Sequence, residues 1–176
     1  LQNYEIAKEI YRNFDNIREN KFYTFFEEVC RILQDKLPEW EIKIDYGKLK
    51  KPWDTPFRIY KKSWVQKNNK YVYFGFEFSE KNYYNAEFGL VKINYEITID
   101  RDSEYLINVD KELLESLVID GNHWWLLVDT SSYKGDFIEK IISREVTPEK
   151  LSEQIVAIIE KYEPLERDGL ITAINN

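Results

Sequence analysis

Glu41-Ile42-Lys43 is an acid-x-Lys tripeptide on a stretch that reads as a strand. Such a pair does chemistry when an upstream Asp joins the acid in holding a divalent cation such as Mg²⁺ through oxygen ligands. The Lys then positions the attacking water or stabilises charge. That is equipment for metal-dependent hydrolysis. The upstream Asp belongs on a preceding strand, yet only helical patterns precede Glu41. In a chain this rich in Asp, Glu and Lys the tripeptide also recurs by chance, and Glu19-Asn20-Lys21 is another. Glu77 is a separate carboxylate of interest, mid-strand in YVYFGFEFSE beside Gly75. A mid-strand acid on a half-covered sheet is either functional or paired with a cation. Lys61 or Arg58 of the neighbouring strand would serve as that cation. Glu41, Lys43 and Glu77 are thus the residues on which a cryptic metal-dependent hydrolase would rest.

The remaining chemistry is sparse. His123 is the sole His and Cys30 the sole Cys, which cannot build a typical zinc site. With one His, the usual general base is nearly missing. Cys30 lies in a helical pattern beside Val29 and Leu33 and reads as a buried structural thiol. Asp100-Arg101-Asp102 lacks EF-hand spacing. There is no P-loop, no GxGxxG after a strand, no GxSxG and no His-based triad. No catalytic residue and no resident metal is therefore expected, with Mg²⁺ the cofactor should the chain prove catalytic.

The strongest feature is electrostatic. The block KLKKPWDTPFRIYKKSWVQKNNK, residues 48–70, holds Lys48, Lys50, Lys51, Arg58, Lys61, Lys62, Lys67 and Lys70 against Asp54 alone, a net +7. The whole chain is −7, which leaves −14 for the rest. Segregation this strong suits an anionic partner. Lys50, Lys51, Arg58, Lys61, Lys62, Lys67 and Lys70 would neutralise phosphates, while Tyr60, Trp53 and Trp64 stack on bases. Alternation over the second strand would give Arg58, Tyr60 and Lys62 a shared exposed face. The competing explanation is a solvated sheet edge guarded by Lys, or a counter-charge for acidic helices of the same chain.

These residues need a scaffold, and the periodicity supplies one. Ile6, Ile10, Phe14 and Ile17 predict a helix over about Tyr4–Asn16, with a second over about Lys21–Lys36 ended by Pro38. The period then changes to two. Strands are expected at Trp40–Tyr46, Phe57–Trp64, Tyr71–Ser79 and Ala86–Asp100, joined by short turns such as 67–70. A short helix at Lys111–Leu117 and a strand in HWWLLVD follow the same logic. A helix is expected at Gly135–Ser143. Thr147-Pro148-Glu149 opens another that runs to about Lys161, with Pro164 as its stop. The expectation is an α+β fold: an antiparallel sheet of about five strands with N-terminal and C-terminal helices packed on one face.

The length of 176 residues argues for a single domain over 1–176 with a sizeable core. Aromatic residues make up 16% of it, which favours a sheet covered by large rings. No apolar run approaches a bilayer span and no signal peptide is visible, so no membrane partner is expected. A lone Cys permits no internal disulfide, which is compatible with a reducing cytoplasm. The chain begins at Leu1 and contains no Met, so it reads as a fragment of a longer polypeptide.

Ile59-Tyr60-Lys61-Lys62-Ser63-Trp64, followed by Tyr73-Phe74-Gly75-Phe76-Glu77-Phe78, resembles the C-terminal part of bacterial PD-(D/E)XK nuclease-like proteins. The likeness covers residues 1 to 130, and YEIAKEIYRNFDNIREN would suit the junction with a preceding nuclease-like domain. The resemblance implies that the catalytic Asp and Glu-x-Lys belong upstream, outside this chain. On that basis the chain is expected to be a non-catalytic accessory domain of a cytoplasmic, defence-type nuclease. It would contact nucleic acid, or a regulatory partner, through the basic surface. The alternative is a protein-interaction or sensor domain that uses an aromatic face of Trp53, Trp64, Tyr71, Tyr73, Tyr83 and Tyr84.

Overall fold

A computed structural model describes residues 2–48, 54–65, 72–80, 83–91, 111–112 and 125–167. The order is α1 (Gln2–Lys36), β1 (Trp40–Ile44), β2 (Phe57–Lys61), a 3-10 turn (Lys62–Trp64), β3 (Tyr73–Glu80), β4 (Tyr84–Val91), β5 (Trp125–Asp136), α2 (Phe137–Ile142) and α3 (Pro148–Arg167). The strands form one antiparallel sheet in the order β1-β2-β3-β4-β5. The α+β architecture read from the periodicity is the one observed.

The register explains how the sheet is covered. Phe57 lies opposite Phe76, Ile59 opposite Phe74, Phe76 opposite Phe88 and Phe78 opposite Ala86. These residues share one face, and the helices cover it. Phe26 of α1 is fully buried, with its ring 5.4 Å from Phe76, 5.9 Å from Phe57 and 6.3 Å from Phe137. Phe22 lies 5.7 Å from Phe78, and Tyr162 of α3 stacks on Phe74 at 6.0 Å. Each such pair adds about 0.5–1.5 kcal/mol beyond the area it buries.

Several boundaries differ from the pattern: β5 runs on to Asp136, past the HWWLLVD stretch, the next helix starts at Phe137 and not at Gly135, and β2 ends at Lys61, short of Trp64. The pair of N-terminal helices is one continuous helix, because Ile17-Arg18-Glu19-Asn20-Lys21 contains no Gly or Pro to interrupt it. The last helix also runs past Pro164 to Arg167. Pro removes one backbone donor, but tertiary contacts hold the final turn: Leu165 is fully buried, and Glu163 and Glu166 both grip Lys61. Its start is as expected, with the Lys150 amide donating to Thr147 Oγ1 at 3.3 Å and Pro148 at the first position. The expected turn at 67–70, the strand beyond Val91, the helix beyond residue 112 and His123 lie outside the described residues.

Asp136 does two jobs at once. Its Oδ1 accepts from the Ile138 and Glu139 amides and starts α2. Its Oδ2 lies 2.6 Å from Arg18 Nη2, which ties α1 to the end of β5. Upstream of Arg18, α1 loses its cover: Tyr4, Ile6, Ile10, Tyr11, Phe14 and Ile17 are all exposed. Among the described residues no helix is long and apolar enough to cross a membrane.

The two halves of α1 should therefore differ in energetic weight. Phe26→Ala is expected to cost about 3–5 kcal/mol in urea unfolding of dilute protein, through lost burial and a cavity. Ile10→Ala should stay within about 0.5 kcal/mol of wild type. Similar losses at both positions would contradict the division.

Candidate functional site

β2 carries Arg58 and Lys61 of the basic block into the sheet, on opposite faces. Lys61 lies on the helix side, directly opposite Trp40 of β1. Its Nζ is 2.5 Å from Glu166 Oε2 and 3.3 Å from Glu163 Oε1, and it sits 5.1 Å over the Trp40 ring. Glu166 Oε1 also accepts from Trp64 Nε1 at 2.9 Å. Partial burial disfavours the Lys61 charge, but the hydrogen bonds and attraction of Glu166 and then Glu163 outweigh it. Lys61 is consequently held above its ordinary pKa.

The neighbouring cations also face partners within the chain. Lys62 Nζ is 3.0 Å from Glu41 Oε1 and Lys48 Nζ is 3.5 Å from Asp54 Oδ1. The Arg58 guanidinium lies 5.0 Å over the Tyr73 ring and its Nε donates to the Thr55 carbonyl at 3.4 Å. Tyr60 and Trp64 are 3% and 4% exposed. They are not the open rings that the alternation predicts. The reason is that the second face of the sheet is buried as well, at Tyr60, Tyr73, Gly75 and Glu77, while Trp64 turns in against Trp40 at 5.3 Å. Lys62 belongs to the 3-10 turn, so Arg58, Tyr60 and Lys62 do not form one exposed strand face. Lys50, Lys51, Lys67, Lys70, Trp53 and Tyr71 lie outside the described residues.

The carboxylates separate too. Glu41 is opposite Tyr60 and reaches Lys62, while Lys43 is opposite Arg58 with its Nζ 5.3 Å over Tyr60. Glu77 sits on β3 with β2 in between, so two strand spacings of about 4.8 Å separate it from β1. Glu77 is 2% exposed and accepts from Thr55 Oγ1 at 3.3 Å. Lys61, an expected partner, points to the opposite face. Thr55 also closes over Gly75, where an added Cβ would meet Thr55 and come within 2.7 Å of Val91 Cγ2. Among the described residues no three His, Cys, Asp or Glu side chains come together as metal ligands would. Cys30 is partly buried, and burial, aided by the Glu27 charge, pushes its thiol up to about 11. It is protonated at neutral pH and a poor nucleophile.

The surface that pattern reading missed is on α1. Tyr4, Ile6, Ile10, Tyr11, Phe14 and Ile17 are 50–73% exposed. At 100° per residue they span an arc of about 160°, centred about 80° away from the arc of Phe22, Phe25, Phe26, Val29 and Leu33. That rotation is visible in the sequence. It turns Ile6, Ile10 and Ile17 away from the core arc, whereas Tyr4 and Tyr11 share the phase of Phe22 and Val29 and are exposed because α1 runs beyond its cover. No family model, no curated protein and no solved structure matches the chain.

If Lys61 is an internal counter-charge, removing its acids should show in stability. Glu163→Gln with Glu166→Gln is expected to cost about 1–3 kcal/mol at pH 7. A raised lysine contributes fully below its unfolded pKa and loses that contribution as pH rises through its folded value. Urea unfolding should therefore show the gap between wild type and variant closing as pH climbs above 10.5, the ordinary Lys61 value. A gap unchanged by pH would place the cost elsewhere.

Proposed function

We propose that this chain is a non-catalytic protein-interaction domain whose docking element is the N-terminal half of α1. The observation that supports this reading is the row of six large apolar side chains left 50–73% exposed on one helix. Contiguous apolar patches of this kind mark interaction surfaces, and Tyr, Phe and Ile give such a patch its contact area. A helix half without tertiary cover is also marginal in water, because helical stability in proteins comes mostly from packing. Of the aromatic face of Trp53, Trp64, Tyr71, Tyr73, Tyr83 and Tyr84, Trp64 and Tyr73 are buried, Tyr83 packs 4.4 Å from Phe22, Tyr84 is exposed, and Trp53 and Tyr71 lie outside the described residues.

A second reading keeps the basic block as a nucleic-acid surface, in an accessory domain of a cytoplasmic, bacterial PD-(D/E)XK nuclease-like protein. Lys62 favours it. This side chain is 82% exposed, and its pairing with Glu41 is a surface ion pair worth about 0–1 kcal/mol, which a phosphate could replace.

Hydroxyl-radical footprinting of the chain, inside the cell that makes it and in dilute solution, tests the proposal. Tyr4 and Tyr11 are expected to be labelled several-fold less in the cell than in dilution, while Tyr84, exposed outside the stripe, labels equally in both. Equal labelling of Tyr4 and Tyr11 in both settings would refute the docking role. Salt-sensitive binding of labelled DNA or RNA in that case, lost on Lys62→Glu, would favour the second reading.

A further inference from the structure

The docking stripe can be taken one step further, on the premise that it is a docking stripe at all. We infer that its occupant is a second copy of the same helix half, packed antiparallel about a two-fold axis near Ile10 and Tyr11.

Area supports this first. Six large apolar side chains at 50–73% exposure present about 600–700 Å² per copy, since a large aromatic side chain alone offers about 150–250 Å². Full cover of both copies would bury at most about 1,200–1,400 Å², the lower end of the range for specific interfaces. The stripe is therefore large enough to be sufficient for its own duplicate.

The patch also has ends that fit a copy of itself. The row Ile10, Phe14, Ile17 continues along the same side of α1 as Lys21, Thr24, Glu28 and Arg31, which line a groove against α2. Its apolar part thus stops at Ile17, at the level where Arg18 binds Asp136. Tyr4 to Ile17 spans about 20 Å of helix. In an antiparallel pair Tyr4 of one copy lies level with Ile17 of the other, and Ile10 and Tyr11 lie nearest the axis. Each contact then occurs twice, as an isologous interface requires.

Charge and sterics choose the orientation. Residues 2–20 hold Glu5, Glu9, Asp15 and Glu19 against Lys8, Arg12 and Arg18, a net −1 within a chain of −7. The segment can thus meet its own copy without strong repulsion, although the whole chain is acidic. Antiparallel packing opposes the helix dipoles and sets the two sheets at opposite ends of the overlap. Parallel packing would align the dipoles and crowd the two sheets together at one end.

Sedimentation equilibrium of the 176-residue chain over micromolar to submillimolar concentrations provides the test. A monomer–dimer equilibrium is expected. Ile10→Asp with Ile17→Asp should weaken it by about a hundredfold or more, because both charges would be buried at the interface. At dilutions where both are monomeric, the near-ultraviolet circular dichroism of the variant should match wild type, since neither residue belongs to the core. Orientation is read by mild oxidation: Tyr11→Cys should cross-link to itself, whereas Tyr4→Cys should not. A chain that stays monomeric throughout, a dimer that survives the double substitution, or self-linking at Tyr4→Cys would each overturn the inference. A monomer in solution whose Tyr4 and Tyr11 are nonetheless shielded in the cell would remove the second copy and leave the docking reading standing.

Discussion

Everything in this fold hangs on the packing of Phe26 and Phe22 against the phenylalanines of β2 and β3. Phe26 reaches Phe57, Phe76 and Phe137, so one side chain joins α1, two neighbouring strands and the start of α2. Rings at this density leave little room for rearrangement. They fix the height and rotation of α1 over the sheet. Fixing the rotation at Phe26 also turns Ile6, Ile10 and Ile17 out of the core arc. Tyr4 and Tyr11 keep the phase of Phe22 and Val29, and they are exposed because the helix upstream of Arg18 has left its cover.

The same geometry accounts for part of the charge segregation. A basic strand inside an acidic chain looks like a ligand surface, but α3 lies across one end of β2 and brings Glu163 and Glu166 to Lys61. Glu41 from the adjacent strand meets Lys62, and Asp54 meets Lys48. Part of the +7 block is thus matched within the fold. Trp64 shares Glu166 with Lys61, so an indole N–H and an ammonium are satisfied by one carboxylate.

Much of this was legible in the sequence, and the illegible parts have physical reasons. Alternation of Trp40, Ile42 and Ile44, and of Phe74, Phe76 and Phe78, identified strands because those side chains must all face one core. Thr147-Pro148 marked a helix start because its chemistry is local. The burial of Tyr60 could not be read, since Arg58-Ile59-Tyr60-Lys61 alternates equally well when the second face is covered. The acids that hold Lys61 lie 102 and 105 residues away, beyond any local pattern. The extension past Pro164 has the same origin, because the contacts that sustain it are tertiary. The exposed stripe was legible in part: Ile6, Ile10 and Ile17 are out of phase with the core stripe, whereas Tyr4 and Tyr11 are in phase with it and their exposure depends on tertiary cover.

Residue-resolved amide hydrogen exchange along α1, followed through a dilution series, tests the central claim most directly. The account predicts that amides of residues 22–33 stay protected at every concentration, held by the aromatic core. Those of residues 6–17 should be protected in concentrated protein and exchange freely on dilution, as their cover dissociates. Protection of both halves that is equal and independent of concentration would contradict it, as would free exchange of residues 6–17 at every concentration.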